Sequence, residues 1–391
     1  MPATRAIPPL LKNLNERTVL EAIRDGAPIS RAEISRRMGI SKPTVSQALQ
    51  SLLDAGLVRE AADDPAGPRY GALFFEPVPE AALVLGLDLG ARFLRGAICD
   101  LGGEVRARHD VELVGADAAA VLDAFVSLRD SLVAATGLSE SLVDTAVVGV
   151  PAVVETATGV VGLTNVEGLD GMHFADAAAE RLGVAVIVDN DTNLAAVGEQ
   201  WRGVARGLED FVFLSVGTGL GAGLVLRGEV HRGHNGAAGE VDLVSAGSSD
   251  GDIDPCAGAL SDVARQLASS FEGATVLAAP YEPRDVFGAA RGGDALARRI
   301  VDEEARRIAR HVVPIAAVAD VALVVLGGGL GTNGDLLLEP VRKRLAEWLP
   351  YPPRVEVSSL GEAAVLTGAL AVGRRAALDN VFQNRAPVAS A

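Results

Sequence analysis

The spacing of apolar residues divides the chain into a short helical head and a longer body in which strands and helices alternate. In the head, apolar residues recur every three or four positions over 15–23 and again over 30–54, which predicts amphipathic helices. From Leu83 onward, short aliphatic runs end in glycine and aspartate turns and are followed by longer helical patterns. This alternation predicts an α/β body with two hairpin-rich halves, each of which begins with a glycine-bearing turn.

Two capped helices around a glycine turn form the centre of the predicted head. Ser30, followed by Glu33 three residues later, predicts a capping box at the start of the first helix. Gly39 makes the turn, and Ser41 predicts the N-cap of the second helix. This order of elements is that of a helix-turn-helix.

A pair of strands over 57–59 and 70–75 adds a wing, so that residues 1–78 are predicted to form a winged helix-turn-helix that binds double-stranded DNA. Hydroxyls, an amide and a cation on the second helix can reach phosphates and base edges, and the wing arginines can reach the DNA backbone or the minor groove. The residues predicted to bind DNA are Ser41, Lys42, Thr44, Ser46, Gln47, Arg59 and Arg69. A small helical module that binds only another protein is the alternative interpretation.

Charge is distributed unevenly between these two parts. The 391-residue chain has a net charge of −16, yet residues 1–60 hold nine Lys/Arg and six Asp/Glu. A mildly basic head on an acidic body suits a DNA-reading module attached to a domain that repels DNA. A chain of this length is expected to form two or three folding units.

Cysteine usage and hydropathy indicate the cellular setting. Cys99 and Cys256 are far apart in the sequence and predict no disulfide framework. The amino terminus has no apolar run long enough for a signal peptide, and the most apolar stretch, from Val312, is interrupted by Pro314 and Asp320. We therefore expect a cytoplasmic protein with no membrane role.

Residues 80 to about 380 carry a series of glycine, aspartate and asparagine motifs in a characteristic order. The motifs are Asp88-Leu-Gly90, Gly149-Val-Pro151, Asn190-Asp191-Thr-Asn193, Gly198-Glu199, Gly217-Thr-Gly219-Leu-Gly221-Ala-Gly223, Gly236-Ala-Ala-Gly239-Glu240 and Gly327-Gly-Gly329. In this order they resemble the ROK family (repressor, open reading frame, kinase).

The resemblance implies an actin-like, ribonuclease-H-type, two-lobed ATPase fold, that of a sugar kinase, over 79–391. Its lobes are expected at roughly 79–205 and 206–360, with a C-terminal helix over 361–375 that returns to the first lobe. This domain is expected to bind the effector and to dimerise.

The same resemblance implies two binding sites. The residues expected to hold a sugar-type ligand are Asn165, Asn190, Asp191 and Glu240. The residues expected at a nucleotide are Gly217, Thr218, Gly219 and Gly328. In a kinase of the family, Asp191 would be the base that takes a proton from the attacking hydroxyl.

Four departures from the family pattern fall on the catalytic and metal-binding parts. The segment 91–93 reads Ala-Arg-Phe where the kinases continue with a threonine, and Leu243 replaces the family's histidine. Cys256 stands alone where relatives carry three zinc-binding cysteines, and Gly258 stands in the position of a sugar-binding glutamate. We therefore expect no zinc site, no other cofactor and no tight binding of ATP.

Together these features predict a transcriptional regulator, a repressor of sugar-metabolism genes, whose degenerate kinase-like body senses a sugar or sugar-derived effector and has no enzyme activity. Closure of the lobes would shift paired heads on a palindromic operator, so a homodimer or homotetramer is expected. Two alternatives stay open. One is an ATP-dependent, glucokinase-like sugar kinase with an accessory head, in which Asp191 is catalytic. The other is a constitutive DNA-binding protein whose pocket binds nothing.

Overall fold

The computed structural model describes residues 8–61, 73–90, 92–113, 117–164, 166–245 and 254–384. Within these ranges the head is built from α1 (Pro8–Gly26), β1 (Ile29–Ser30), α2 (Arg31–Met38), α3 (Lys42–Asp54), β2 (Val58–Glu60) and β3 (Phe74–Pro77). β3 pairs antiparallel with both β1 and β2. The predicted winged helix-turn-helix is confirmed, with β1 as an additional strand that the sequence pattern does not reveal.

Local details of the head differ from the prediction at three places. The first helix begins at Pro8 and is longer than the predicted 15–23. Ser30 Oγ accepts from the amide of Glu33 at 3.3 Å, but the Glu33 carboxylate pairs with Arg36 and Arg37, so only half of the capping box forms. The returning wing strand is Phe74–Pro77, and residues 62–72 lie outside the described residues.

The first lobe contains a five-stranded mixed sheet. Its elements are β4 (Leu83–Leu89), β5 (Phe93–Asp100), β6 (Val105–Glu112), α4 (Ala118–Thr136), β7 (Val143–Val150), β8 (Val153–Val154), β9 (Val161–Gly162), α5 (Phe174–Leu182), β10 (Ala185–Asn190) and α6 (Asp191–Arg202). The strand order is β10-β7-β4-β5-β6, and β8 and β9 form a separate hairpin. α6 begins at Asp191 because Asn190 caps it.

The second lobe repeats this plan. Its elements are β11 (Phe211–Val216), β12 (Leu220–Leu226), β13 (Glu229–Val230), α7 (Ala257–Ser269), α8 (Pro283–Arg291), α9 (Ala295–Ala319), β14 (Leu323–Gly327), α10 (Gly328–Gly331), α11 (Gly334–Trp348) and β15 (Arg354–Val357). The strand order is β13-β12-β11-β14-β15. In both sheets the first three strands form an antiparallel meander and the last two add in parallel. The duplicated two-lobed fold expected from the resemblance is confirmed.

The last helix, α12 (Ala364–Asn384), continues beyond the expected end at residue 375. It packs along α6 and against β4, β7 and β5 of the first lobe. One apolar core joins this helix to the head, because buried head residues such as Ile23 and Leu49 share a cluster with Val84, Leu370 and Val381. The head is therefore packed against the first lobe.

Candidate functional site

The candidate ligand site lies where the parallel strands of the first lobe end. Asp88 of β4 and Asp189 of β10 both pair with Gly149 of β7, one on each side. The strand ends are closely packed around Gly149, since a Cβ there would lie 2.7 Å from Cγ1 of Val365 and 3.8 Å from Cα of Asp191. Parallel pairing thus brings Asp88 and Asp191 together, although they are distant in the sequence.

Asn190 holds the turn that leads into α6. Its Oδ1 accepts hydrogen bonds from the amides of Thr192 at 2.9 Å and Asn193 at 3.1 Å. Its Nδ2 donates to the carbonyl oxygen of Ala152 at 3.0 Å. The side chain expected to bind ligand therefore already caps the helix and ties it to the neighbouring strand end. Asp191 follows as the first helical residue, partly exposed.

Three carboxyl groups interact electrostatically at this place. Burial raises the pKa of Asp88 to about 6, against the opposing charge of Arg95. Burial, reinforced by the charges of Asp88 and Glu240, raises the pKa of Asp191 to about 7. Burial and the charge of Asp242 raise the pKa of Glu240. Near neutral pH the Asp191 carboxyl is therefore divided between its two protonation states, and it can donate as well as accept hydrogen bonds.

A guanidinium group lies beside the turn between β4 and β5. Arg95 faces Asp88 across the β4–β5 pair, and its Nη1 is 3.4 Å from Asp88 Oδ2. The same side chain lies 3.3 Å from Glu362 and 3.9 Å from Asp110. A Cβ on Gly90 would lie 3.3 Å from Arg95 Nη1, so the guanidinium fills the space next to the turn. The Asp88 carboxylate is thus paired with a cation of the chain itself.

The glycines of β12 permit close contact between the lobes. A Cβ on Gly223 would lie 2.2 Å from the carbonyl oxygen of Thr192, and one on Gly221 would lie 3.1 Å from Cγ2 of that residue. Gly328 has φ +75° and its Cβ would lie 2.4 Å from the carbonyl oxygen of Val216. Packing alone accounts for these three glycines.

The predicted nucleotide turn, residues 217–219, has a different environment. The amide of Gly217 donates to the carbonyl oxygen of Gly219 at 3.0 Å, which closes the turn between β11 and β12. A Cβ on Gly217 would lie 3.4 Å from the amide nitrogen of Gly329, so the two glycine turns of the second lobe face each other. A Cβ on Gly219 would meet nothing within 4 Å, which leaves open space beside Thr218.

One ion pair crosses between the lobes next to the turn at Asn190 and Asp191. Nε and Nη2 of Arg232, which follows β13 of the second lobe, lie 3.2 Å and 2.5 Å from Oδ2 of Asp189 in the first lobe. Asp189 is only 4% exposed. Its Oδ1 also accepts from the amide of Asn190 at 2.9 Å and from Nδ2 of Asn193 at 3.3 Å. His231 and His234, on either side of this arginine, are exposed.

The region expected to hold zinc in relatives has a different character here. Leu243 is 59% exposed, and Gly258 has open space where a side chain would lie. Burial raises the pKa of the Cys256 thiol, helped by Asp254, which keeps the sulfur protonated. Among the described residues, no group of three or more His, Cys, Asp or Glu side chains could hold a metal ion. These residues do not fit a zinc ion.

On the polar face of α3 in the head, some side chains are hydrogen-bonded within the protein and others are exposed without a partner in the described residues. The hydroxyls of Ser41 and Thr44 lie 2.8 Å apart, and Ser46 Oγ donates to the carbonyl oxygen of Lys42 at 2.9 Å. The side chains of Lys42 and Gln47 are exposed and have no partner within the described ranges. We therefore expect these two to have most freedom to contact DNA.

The wing strand carries its arginine in an ion pair. Arg59 Nε donates to Glu76 Oε1 at 2.7 Å across the β2–β3 pair. Arg69, the other predicted wing contact, lies outside the described residues, as do Ala91 and the predicted sugar-binding Asn165.

Packed helices lie between the turn at Asn190 and Asp191 and the head. α6 starts at Asp191 and ends near Trp201, whose ring lies under the guanidinium of Arg374 of α12 at 5.9 Å. Further along α12, Asp379 pairs with Arg17 of α1 at 2.7 Å. Contacts of α12 thus connect α6 to the first helix of the head.

Comparison with known proteins matches the two parts of the chain separately. The sequence model of the MarR family matches residues 13–67, and that of the ROK family matches residues 84–376. The xylose repressor of Caldicellulosiruptor bescii is 26% identical over 389 residues, which cover 93% of this chain and 96% of the repressor. The glucokinase of Halalkalibacterium halodurans is 28% identical over 311 residues, which cover 73% of this chain and 92% of the kinase.

Solved structures give the same division. A ROK family transcriptional regulator, a homologue of the E. coli MLC protein, superposes with a TM-score of 0.79 at 21% identity and covers 96% of this chain and 98% of its own. A ROK family glucokinase from Streptomyces griseus, in complex with glucose and AMPPNP, gives a TM-score of 0.64 at 26% identity and covers 75% of this chain and 100% of its own. No helix in the part of the chain described by the structure is both long and apolar enough to cross a membrane.

Proposed function

Since the chain belongs to the ROK family and carries a MarR-type winged helix-turn-helix, we propose that it is a transcriptional repressor that binds an operator and responds to a sugar. The observation that carries this proposal is the single apolar core shared by the head and α12, which lies along the helix that begins at Asp191. A relative of nearly the same length is a xylose repressor, which favours a sugar as the effector.

We propose that the body senses its ligand and does not phosphorylate it. In a kinase of this fold, the turn that follows the first strand of the body, here at Gly90, must accept a nucleotide with its metal ion. Here Arg95 is paired with Asp88 and fills the space beside Gly90. A guanidinium already bound to that carboxylate opposes the binding of a metal ion at the same oxygens. We likewise propose that the chain holds no structural zinc, since Cys256 stands alone where relatives carry three cysteines and Leu243 replaces their histidine.

The second candidate function is a sugar kinase, and one observation favours it. Asp191 lies at a helix start with a pKa of about 7, which suits a general base near neutral pH. The facing glycine turns at residues 217–219 and 327–329 would be the place for the nucleotide. Measuring ATP consumption by the purified protein with D-xylose and D-glucose separates the two functions.

The direct test of the repressor is selection of binding sites from random DNA, followed by gel shift. We expect a palindromic operator, because closed oligomers place two heads on repeated half-sites. Addition of a panel of free and phosphorylated sugars should then release the DNA at millimolar or lower concentrations of one sugar. Failure to select any preferred site would contradict the proposed function.

Loss of the open side chains on α3 should weaken operator binding. For the double variant Lys42→Ala/Gln47→Ala we expect a loss of roughly 100-fold, since a good base contact and a phosphate contact are each worth about 1–3 kcal/mol. Fluorescence anisotropy with the selected operator measures the change. Gln50→Ala, on the same helix but bonded to Asp54, is the control, and equal losses for both variants would contradict this assignment.

Releasing the wing arginine should strengthen DNA binding. Glu76→Gln removes the carboxylate that neutralises Arg59, whose pKa is raised by this pair. We expect operator affinity to rise about threefold at low salt, with a slope against log salt that becomes steeper by up to about one counterion. Glu60→Gln, which removes the same charge next to Arg59 on β2, is the control. A Glu76→Gln protein with unchanged salt dependence would exclude Arg59 from the DNA contact.

A further inference from the structure

We propose that the ion pair between Asp189 and Arg232 is an interlobe latch that positions the two rims of the ligand site and sets the affinity for the effector. This inference rests on the proposed function, because it concerns the regulation of the same site. It assigns to Arg232 the role of a positioning residue, which does not touch the ligand itself.

The first rim of the site depends on Asp189. This carboxylate is 4% exposed and lies directly before the turn that carries Asn190 and Asp191. It accepts from the amide of Asn190 and from the side chain of Asn193, so it organises both ends of that turn. In the described part of the chain, Arg232 is the cation that neutralises it. Removing the cation that pairs with a buried carboxylate strongly lowers the stability of the folded protein.

The second rim depends on the backbone of the same arginine. The carbonyl oxygen of Arg232 accepts from the amide of Ala238 at 3.1 Å, which closes the loop that leads to Glu240. Within this loop, Gly236 has φ +83°, and a Cβ there would lie 2.0 Å from the carbonyl oxygen of Val154 in the first lobe. The loop that presents Glu240 is therefore seated directly on the first lobe when the ion pair is formed.

The pair thus joins the two sides of the cleft at one residue. Asp191 and Glu240 place a carboxyl group on either side of it, and the charge of Glu240 contributes to the raised pKa of Asp191 after burial and the charge of Asp88. Two like-charged rims repel each other, and an attractive pair beside them holds the lobes together. Opening the lobes would separate Arg232 from Asp189, since Asp189 lies in β10 of the first-lobe sheet and Arg232 follows β13 of the second-lobe sheet. The latch therefore favours the closed state, and a ligand that binds the closed state gains affinity from it.

The test compares Arg232→Gln, Arg232→Lys and Asp189→Asn/Arg232→Gln with the wild-type protein. The control is Arg291→Gln, whose arginine is about as exposed as Arg232 and which breaks a two-point pair with the exposed Asp335 within the second lobe. Two quantities are measured: operator affinity without sugar, and the sugar concentration that releases half of the operator. The probe is the sugar from a panel of D-xylose, D-glucose and their phosphates that acts on the wild type.

We expect Arg232→Gln to raise the half-releasing sugar concentration at least tenfold while operator affinity without sugar is no weaker than that of the wild type. Lysine should restore part of the response because it keeps the charge but loses the two-point geometry. The double variant should respond better than Arg232→Gln because it leaves no unpaired charge. A purely structural role would instead lower operator affinity and thermal stability with an unchanged half-releasing concentration, and this result would overturn the latch.

Small-angle scattering on the ligand-free proteins supplies a second measurement that needs no sugar. Arg232→Gln should increase the radius of gyration relative to the wild type and Arg291→Gln, at an oligomeric state matched by light scattering. Identical scattering curves would also overturn the latch. Absence of any operator or any active sugar would refute the proposed function instead, and the scattering comparison would still decide the latch.

Discussion

Replacing Asp191 with asparagine is expected to weaken the response to the effector by roughly 10- to 100-fold while operator binding stays intact. The variant keeps the size of the side chain but removes its charge, and a hydrogen bond to a charged group is worth about 1.5–3 kcal/mol. Gel-shift titration with the active sugar measures the change. If the body were a kinase, the same substitution would abolish ATP-dependent turnover.

The same variant should be more stable than the wild-type protein, and the difference should depend on pH. The pKa of Asp191 is raised from 3.8 to about 7 in the folded protein, so ionisation of this carboxyl opposes folding. That cost is absent near pH 4, grows as the pH rises through the window between 3.8 and about 7, and is complete above it. We therefore expect Asp191→Asn to raise the melting temperature by about 3 °C at pH 8 and by almost nothing at pH 4.

Asp176→Asn is the matched control for this variant. Asp176 also lies in the first turn of a first-lobe helix, but it is exposed. Asp176→Asn, like Asp191→Asn, removes a negative charge that interacts with a helix dipole, but it does so outside the cleft. A sugar response of Asp191→Asn within twofold of the wild type would exclude Asp191 from ligand binding. A stability difference that did not vary with pH would contradict the raised pKa.

Gly368→Ala is expected to cost about 3 kcal/mol of folding free energy and to lower the melting temperature by roughly 6 °C or more. A Cβ on Gly368 of α12 would lie 1.7 Å from the carbonyl oxygen of Leu194 in α6, and one on Gly198 of α6 would lie 2.3 Å from the carbonyl oxygen of Ala364. The obstacles are backbone atoms, which cannot turn aside as a side chain can. The two helices must therefore separate.

Separation of these helices should also reach the head, because α12 carries Asp379, the partner of Arg17. We expect Gly368→Ala to reduce operator affinity at temperatures at which the body is still folded. Gly288→Ala in α8 is the control, since a Cβ there meets nothing within 4 Å. That change should stabilise the protein by about 0.5–1 kcal/mol, as alanine favours a helix interior. Equal effects of the two substitutions, measured by thermal and urea denaturation, would contradict direct contact of the helices.

The sequence alone predicted those features that depend on neighbouring residues. Ser41 caps α3 as its position before a proline-containing first turn indicates, and Gly39 takes the left-handed conformation that the turn requires. The resemblance carried by the motifs of the body implied its duplicated fold, and several of these motifs lie at or next to the end of a strand, as Gly90, Gly149 and Gly327 do. Asp191 was recognised at a strand-to-helix turn for the same reason.

Where the sequence prediction was wrong or incomplete, a contact that the pattern does not show made the difference. The Glu33 carboxylate leaves the capping box because two arginines on the same helix compete for it. The sequence does not predict β1, because a strand of two residues is too short to show an alternating pattern. It forms through its pairing with β3. The last helix is longer than expected because its additional turns are buried against the head, as Val381 is.

The sequence by itself thus determined the kind of head, the duplicated body and the strand-to-helix turn at Asn190 and Asp191, since caps, turns and strand ends are encoded over a few residues. Only the tertiary structure decided how the charges are paired and how the parts are joined. Asp189 and Arg232 are separated by 43 positions, and Arg17 and Asp379 stand near opposite ends of the chain. Any of the chain's many arginines and acidic residues has the charge for such a pair, and the fold selects the partners by bringing two of them within hydrogen-bonding distance.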